Sequence, residues 1–130
     1  MGQQQLLLII LGIIIIGIAI AVGITLFSTQ NISSNKDNVT IQMTNIAADA
    51  FAYYQRAKIL GGGGGNLAGY VIMPGLDSTL DGAYTIVGST KDTLFLLGTS
   101  RYGFGTVTAT ANYKGLIPSS IVYSGQFLNN

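Results

Sequence analysis

From Leu6 to Phe27 the chain reads LLLIILGIIIIGIAIAVGITLF, without one charged side chain. About 22 residues rising ~1.5 Å each make a helix of roughly 33 Å, against a bilayer hydrocarbon core of about 30 Å. A helix buried in a soluble core has no need of that length. A cleaved secretory signal is a poor match, because no Lys or Arg precedes the run and no short apolar block ends in an A-x-A-like site. The segment is therefore expected to be retained. The first basic residue, Lys36, lies beyond the run, so the cation asymmetry that orients membrane spans gives little direction.

Composition limits the rest of the chain. It has 130 residues, 48% hydrophobic and 8% charged, which leaves room for one small domain beyond the stem. A net charge of +1 predicts neither nucleic-acid steering nor a trap for acidic substrates. The absence of Cys and His removes disulfides, thiol nucleophiles, imidazole bases, haem attachment and ordinary zinc sites. Packing and backbone hydrogen bonds must hold the fold.

After Phe27 comes the polar stretch STQNISSNKDN, and then a periodic one, VTIQMTNIAADAFAYYQRAKIL. At 100° per residue, Val39, Met43, Ile46, Ala47, Ala50, Tyr54 and Ala57 share a face, with Asn45, Asp49, Ala52, Gln55 and Arg56 away from it. The pattern predicts an amphipathic helix, capped at its start by Asp37 or Asn38, suited at its end by Arg56 and Lys58, and stopped by Gly61. No proline forces a break between stem and amphipathic half, and the pattern leaves the joint undecided. GGGGGNLAGYVIMPGLDSTLDG is a loop by its glycines and by Pro74-Gly75 and Asp81-Gly82. Beyond it lie four strand-like runs, at 83–88, 93–98, 106–113 and 119–124. In the third, Val107, Ala109, Ala111 and Tyr113 alternate with Thr106, Thr108, Thr110 and Asn112, the mark of a sheet with one buried face. Their short links require an antiparallel meander, since parallel pairing needs crossovers of about a dozen residues or more. The amphipathic helix has no other partner and is expected to lie across this sheet.

Candidate chemistry is sparse. The glycines at 61–65 lack the preceding strand and following Lys-Ser/Thr of a phosphate loop. Asp77 and Asp81 flank a turn but make too few carboxylates for a calcium ion that takes about 6–8 oxygens. Tyr53, Tyr54, Tyr70, Tyr84 and Tyr102 are spread through the elements as core and interface residues usually are. Ser119 and Ser120 have no base, and Asp49, Arg56 and Lys58 read as solvated helix charges. Asn31-Ile32-Ser33 and Asn38-Val39-Thr40 match the short glycosylation pattern. No active site, cofactor or metal site is read.

The expected architecture is α+β: a hydrophobic stem helix over 1–30, an amphipathic helix over 31–60, a glycine-rich loop over 61–82 and an antiparallel sheet over 83–130. In this order of elements the chain resembles type IV pilins and their pseudopilin relatives over its whole length. MGQQQLLLIILG joined to AYYQRAKILGGGGG is similar to the start and the helix-to-glycine junction of a group of small pilin-like bacterial proteins. The resemblance implies a structural subunit of an extracellular, cell-surface filament, with stems bundled in the core and sheets outside, and adhesion among its uses. It further implies an inner-membrane pool before assembly, an assembly machinery, and copies of the chain itself as partners.

Such pilins usually carry a basic leader cut after a glycine and a glutamate near the mature start that registers the incoming subunit. Here only Met1-Gly2 can serve as leader, and the chain has no glutamate. Gln5 is the neutral stand-in if Met1 is retained; cleavage after Gly2 would make Gln3 the first residue and put Leu7 at that place. In a filament core, Leu6, Leu7, Leu8, Ile9, Ile10, Ile14, Ile15 and Phe27 would supply the apolar packing. Gly12, Ala19 and Gly23 share one side of the helix, and Gly17 and Ala21 lie roughly opposite. Small residues let helices approach closely, and two such sides suit neighbours on both. Two rival expectations are a single-pass membrane protein displaying a small β domain, and a surface- or glycan-binding module using exposed tyrosines.

Overall fold

The computed structural model describes residues 2–129; Met1, on which the leader reading bears, lies outside them. One helix, α1, runs without interruption through Gly2–Gln55, so the polar stretch at 28–38 does not break it. Thr25, Thr29, Thr40 and Thr44 each donate to the carbonyl four residues back at 2.9–3.0 Å, so these hydroxyls find acceptors within the helix. Asp37 and Asn38 are interior helix residues, not the caps that the periodicity suggested. The chain divides between Asn31 and Ile32 into two compact units, the stem and what we call the head.

In the head, α1 ends at Gln55, before the glycine expected to stop it. Ala57 turns extended, Lys58–Leu60 forms one 3₁₀ turn, and Gly61 closes that turn with φ 83°, its N–H donating to the Lys58 carbonyl. The next glycines fold back on the helix end. The N–H groups of Gly63, Gly65 and Gly64 donate to the carbonyls of Tyr53, Tyr54 and Arg56 at 2.8–2.9 Å. A helix leaves its last carbonyls unpaired, and here the glycine run supplies their donors.

The sheet is β1 (Gly82–Ser89), β2 (Thr93–Ser100), β3 (Thr106–Asn112), β4 (Gly115–Leu116) and β5 (Val122–Tyr123). It is antiparallel throughout, in the order β1-β2-β3-β4. The run at 119–124, expected as one strand, is instead a 3₁₀ turn at Pro118–Ser120 followed by the two-residue β5. Both β4 and β5 pair with β3, through Ala111↔Leu116 and Val107↔Tyr123. Between them Ser120 Oγ substitutes for a strand, accepting from the Thr110 N–H at 2.9 Å. Pro118 has no N–H to give a ladder, which accounts for the interruption.

One face of the sheet is covered by α1. Val39, Met43, Ile46, Ala47 and Ala50 form a single core with Leu94, Leu96, Val107, Ala109, Ala111 and Phe127. The predicted face fails only at its end: Tyr54 is half-buried and Ala57 exposed, because α1 has already stopped. Tyr113, expected to continue the buried row of β3, lies past that strand and stacks on Tyr54 with ring centroids 5.7 Å apart. The helix approaches β2 over Gly98, where a Cβ would stand 2.9 Å from Val39 Cγ1 and 3.1 Å from Met43 Sδ.

Candidate functional site

All residues assigned to filament packing lie on α1 within the stem unit. Its large apolar side chains are exposed from end to end, among them Leu6, Leu7, Leu8, Ile9, Ile10, Ile14, Ile15 and Phe27. By length and composition this helix is apolar enough to cross a membrane. Gly12, Gly17 and Gly23 have nothing within 4 Å of the place a Cβ would occupy. Continuous helix puts Gly12, Ala19 and Gly23 within about 20° of one line, with Gly17 and Ala21 about 140–180° away. Gln5 is exposed on the same helix. The apolar and small residues form a surface, not a pocket, suited to close apolar contact, and Gln5 adds an exposed amide to it.

The head holds the polar groups, and most are engaged in structure. Tyr70 donates its hydroxyl to Asp49 Oδ2 at 2.6 Å, so Asp49 is half-buried and bonded instead of merely solvated. Burial first, then the Asp49 hydrogen bond and charge, push the Tyr70 phenol well above the usual tyrosine range. Burial raises Tyr84 in the same direction. Asp77 Oδ1 accepts from the Gly75 N–H, and Asp81 Oδ1 from Asn38 Nδ2, both at 3.3 Å. Asp77 and Asp81 thus perform turn and tether chemistry. Among the described residues, no group of three or more His, Cys, Asp or Glu is placed to hold a metal ion. The glycine-loop N–H groups that a phosphate would need are given to carbonyls of α1 and the adjoining turn.

Both glycosylation-pattern asparagines, Asn31 and Asn38, lie inside α1. A groove of about 450 Å³ between α1 and the β4 region is lined by Thr44, Ala48, Phe51, Leu116, Pro118 and Ile121, with Lys114 beside Gly115. It contains no carboxylate and is mostly apolar.

One polar constellation went unread in the sequence. Asn35 is buried; its Nδ2 donates to the Asp81 carbonyl at 3.1 Å, and its Oδ1 accepts from Ser100 Oγ at 2.6 Å. It fastens α1 to the end of β2. The available signal was its spacing, since position 35 precedes Val39 and Met43 at four-residue steps on the buried face.

Comparison of the chain with family models, curated proteins and solved structures finds no match.

Proposed function

We propose that this chain is the structural subunit of a type IV pilus-like helical filament, polymerising through residues 6–27. One observation carries the reading: the stem is wholly exposed while the head completes its own core from residue 32 onward. At about 1.5–3 kcal/mol per large apolar side chain, removing even half of the stem from water is worth on the order of 10 kcal/mol. Lipid can supply that cover before assembly, and other stems can supply it afterwards. Close-approach positions on two opposite sides favour neighbours on both, which a polymer has and a simple dimer lacks.

In this account the subunit waits in the inner membrane, is drawn into a homopolymer by an assembly machinery, and ends at the cell surface. If Met1 is retained, Gln5 stands where registration would occur and, being uncharged, adds only a hydrogen bond there; if cleavage follows Gly2, Leu7 takes that place and offers apolar contact alone. The match of the apolar run to a bilayer favours a second reading, a single-pass anchor that displays the head and never polymerises. Shearing cells that express the full chain separates the two. Filaments in the sheared fraction, labelled along their length by antibody to the head, are expected. Chain found only in the detergent-solubilised membrane fraction would overturn the filament reading and leave the anchor.

A further inference from the structure

The five strands contain no Asp, Glu, Lys or Arg. The head's charges gather instead at its two ends. At one end the close of α1 meets the turns after β1 and β3, as the stacking of Tyr54 on Tyr113 and the 2.8 Å bond from the Leu67 N–H to the Lys91 carbonyl define. This end carries Arg56, Lys58, Lys91 and Lys114 against Asp49 and Asp92, a balance of +2. At the other end the first head turns of α1 meet the 77–81 turn and the end of β2, tied by Asn35 to Asp81 and Ser100 and by Arg101 to Ser78 Oγ at 2.7 Å. Here Asp37, Asp77 and Asp81 stand against Lys36 and Arg101, a balance of −1.

Each end presents an apolar tip. Ile59 is 97% and Leu60 71% exposed, beside Arg56 and Lys58; Leu80 is 80% exposed, between Asp77 and Asp81. Neither tip is a loose loop. The Leu60 and Gly61 N–H groups donate to the carbonyls of Ala57 and Lys58 at 2.9 and 3.0 Å, and Thr79 N–H donates to the Gly82 carbonyl at 2.8 Å. A single exposed leucine is ordinary on a protein surface. Two fixed apolar tips stand at opposite ends whose net charges are opposite in sign, although Arg101, bonded to Ser78, lies near Leu80 at the negative end; the ends are complementary in balance.

We propose that these ends dock on one another in successive copies of the chain. The Ile59–Leu60 tip of one head packs on Leu80 of the next, with Arg56 and Lys58 facing Asp77 and Asp81. The two surfaces differ, so the contact is heterologous and propagates into an open helical array when its rotation does not close a ring. Opposed charge sets direction and register more than strength. Added salt shortens the reach of that attraction. The inference rests on the filament reading and names the contact its heads make.

The native chain has no cysteine, so Leu60→Cys and Leu80→Cys together place the only thiols at the two exposed tips. Filaments of the full-length double variant, treated with a short bismaleimide and then denatured, are expected to give a ladder of dimers, trimers and higher species. Either single variant is expected to stay monomeric. Lys58→Asp and Asp77→Lys should each reduce filament yield, and the charge-swapped pair should restore it. Filaments without a ladder, or dimers from a single variant, would overturn this contact and leave the filament reading standing. A wild-type chain that makes no filaments would overturn both.

Discussion

Replacing Asn35 by Ala tests how α1 is held on its sheet. The side chain is 4% exposed and makes hydrogen bonds to the Asp81 carbonyl and to Ser100. Its loss is uneven in effect. The Asp81 carbonyl still accepts from the Arg101 N–H at 3.0 Å, so there the cost is one ordinary bond, about 0.5–1.5 kcal/mol. The Ser100 hydroxyl loses the acceptor for its proton while itself only 5% exposed, a penalty of about 1–3 kcal/mol. Alanine returns roughly 0.6 kcal/mol of helix propensity. The expected net destabilisation is about 2 kcal/mol. Asn38→Ala is the internal control on the same helix, because its exposed 3.3 Å bond to Asp81 is worth no more than the propensity it gains. Urea unfolding of residues 31–130, followed by circular dichroism, should show a lower midpoint for Asn35→Ala and an unchanged slope. Equal midpoints for the two variants would refute the argument that this buried pair fastens the helix.

Gly63→Ala should destabilise the head by about 1–3 kcal/mol in the same assay, because a Cβ there overlaps the Asn66 carbonyl oxygen and crowds the Tyr53 ring. A neutral result would mean that the helix-capping loop yields easily. The raised Tyr70 phenol has a definite pH consequence. In the unfolded chain it loses its proton near pH ~10, while the folded state holds the proton to higher pH. Its contribution is therefore complete below that value and is lost as pH rises from there toward the folded value. Melting temperature should fall on that alkaline limb, and Tyr70→Phe should flatten the fall. Ile14→Lys puts an ammonium in the stem at a cost of about 2.5–3.5 kcal/mol per subunit at a helix centre; it should be expressed yet yield no filaments, and wild-type yield would argue against a buried stem.

The stem, the sheet and their covering helix were legible because each rests on a period or on an uninterrupted run. Val39 through Ala50 and the alternation of Val107, Ala109 and Ala111 face the core as their spacing requires. Boundaries were harder. The polar stretch at 28–38 carries cap-like residues, but α1 continues through it, so the backbone N–H groups there pair with carbonyls of the preceding turn and no cap is required. The end of α1 falls earlier than the glycine run suggests, because that run is not a stop but a folded-back set of donors whose targets lie up to eleven residues earlier. Such pairings depend on loop geometry that composition does not carry. Asn35 is hidden for a related reason: a polar residue on an apolar face looks like the margin of the stripe until Ser100, sixty-five residues away, is seen beside it. At the level of assembly only the exposed apolar surface of the stem was legible, since a single chain's sequence does not carry what would cover it.

The central claim is that residues 6–27 pass from lipid into the core of a polymer, and helical reconstruction of filaments sheared from cells expressing the full chain tests it most directly. The account predicts continuous helical density on the filament axis, with Ile14 and its neighbours covered by other copies of the same segment and the sheets outside. Filaments whose axis is built from heads, with the stems splayed outward or embedded in lipid, would contradict it.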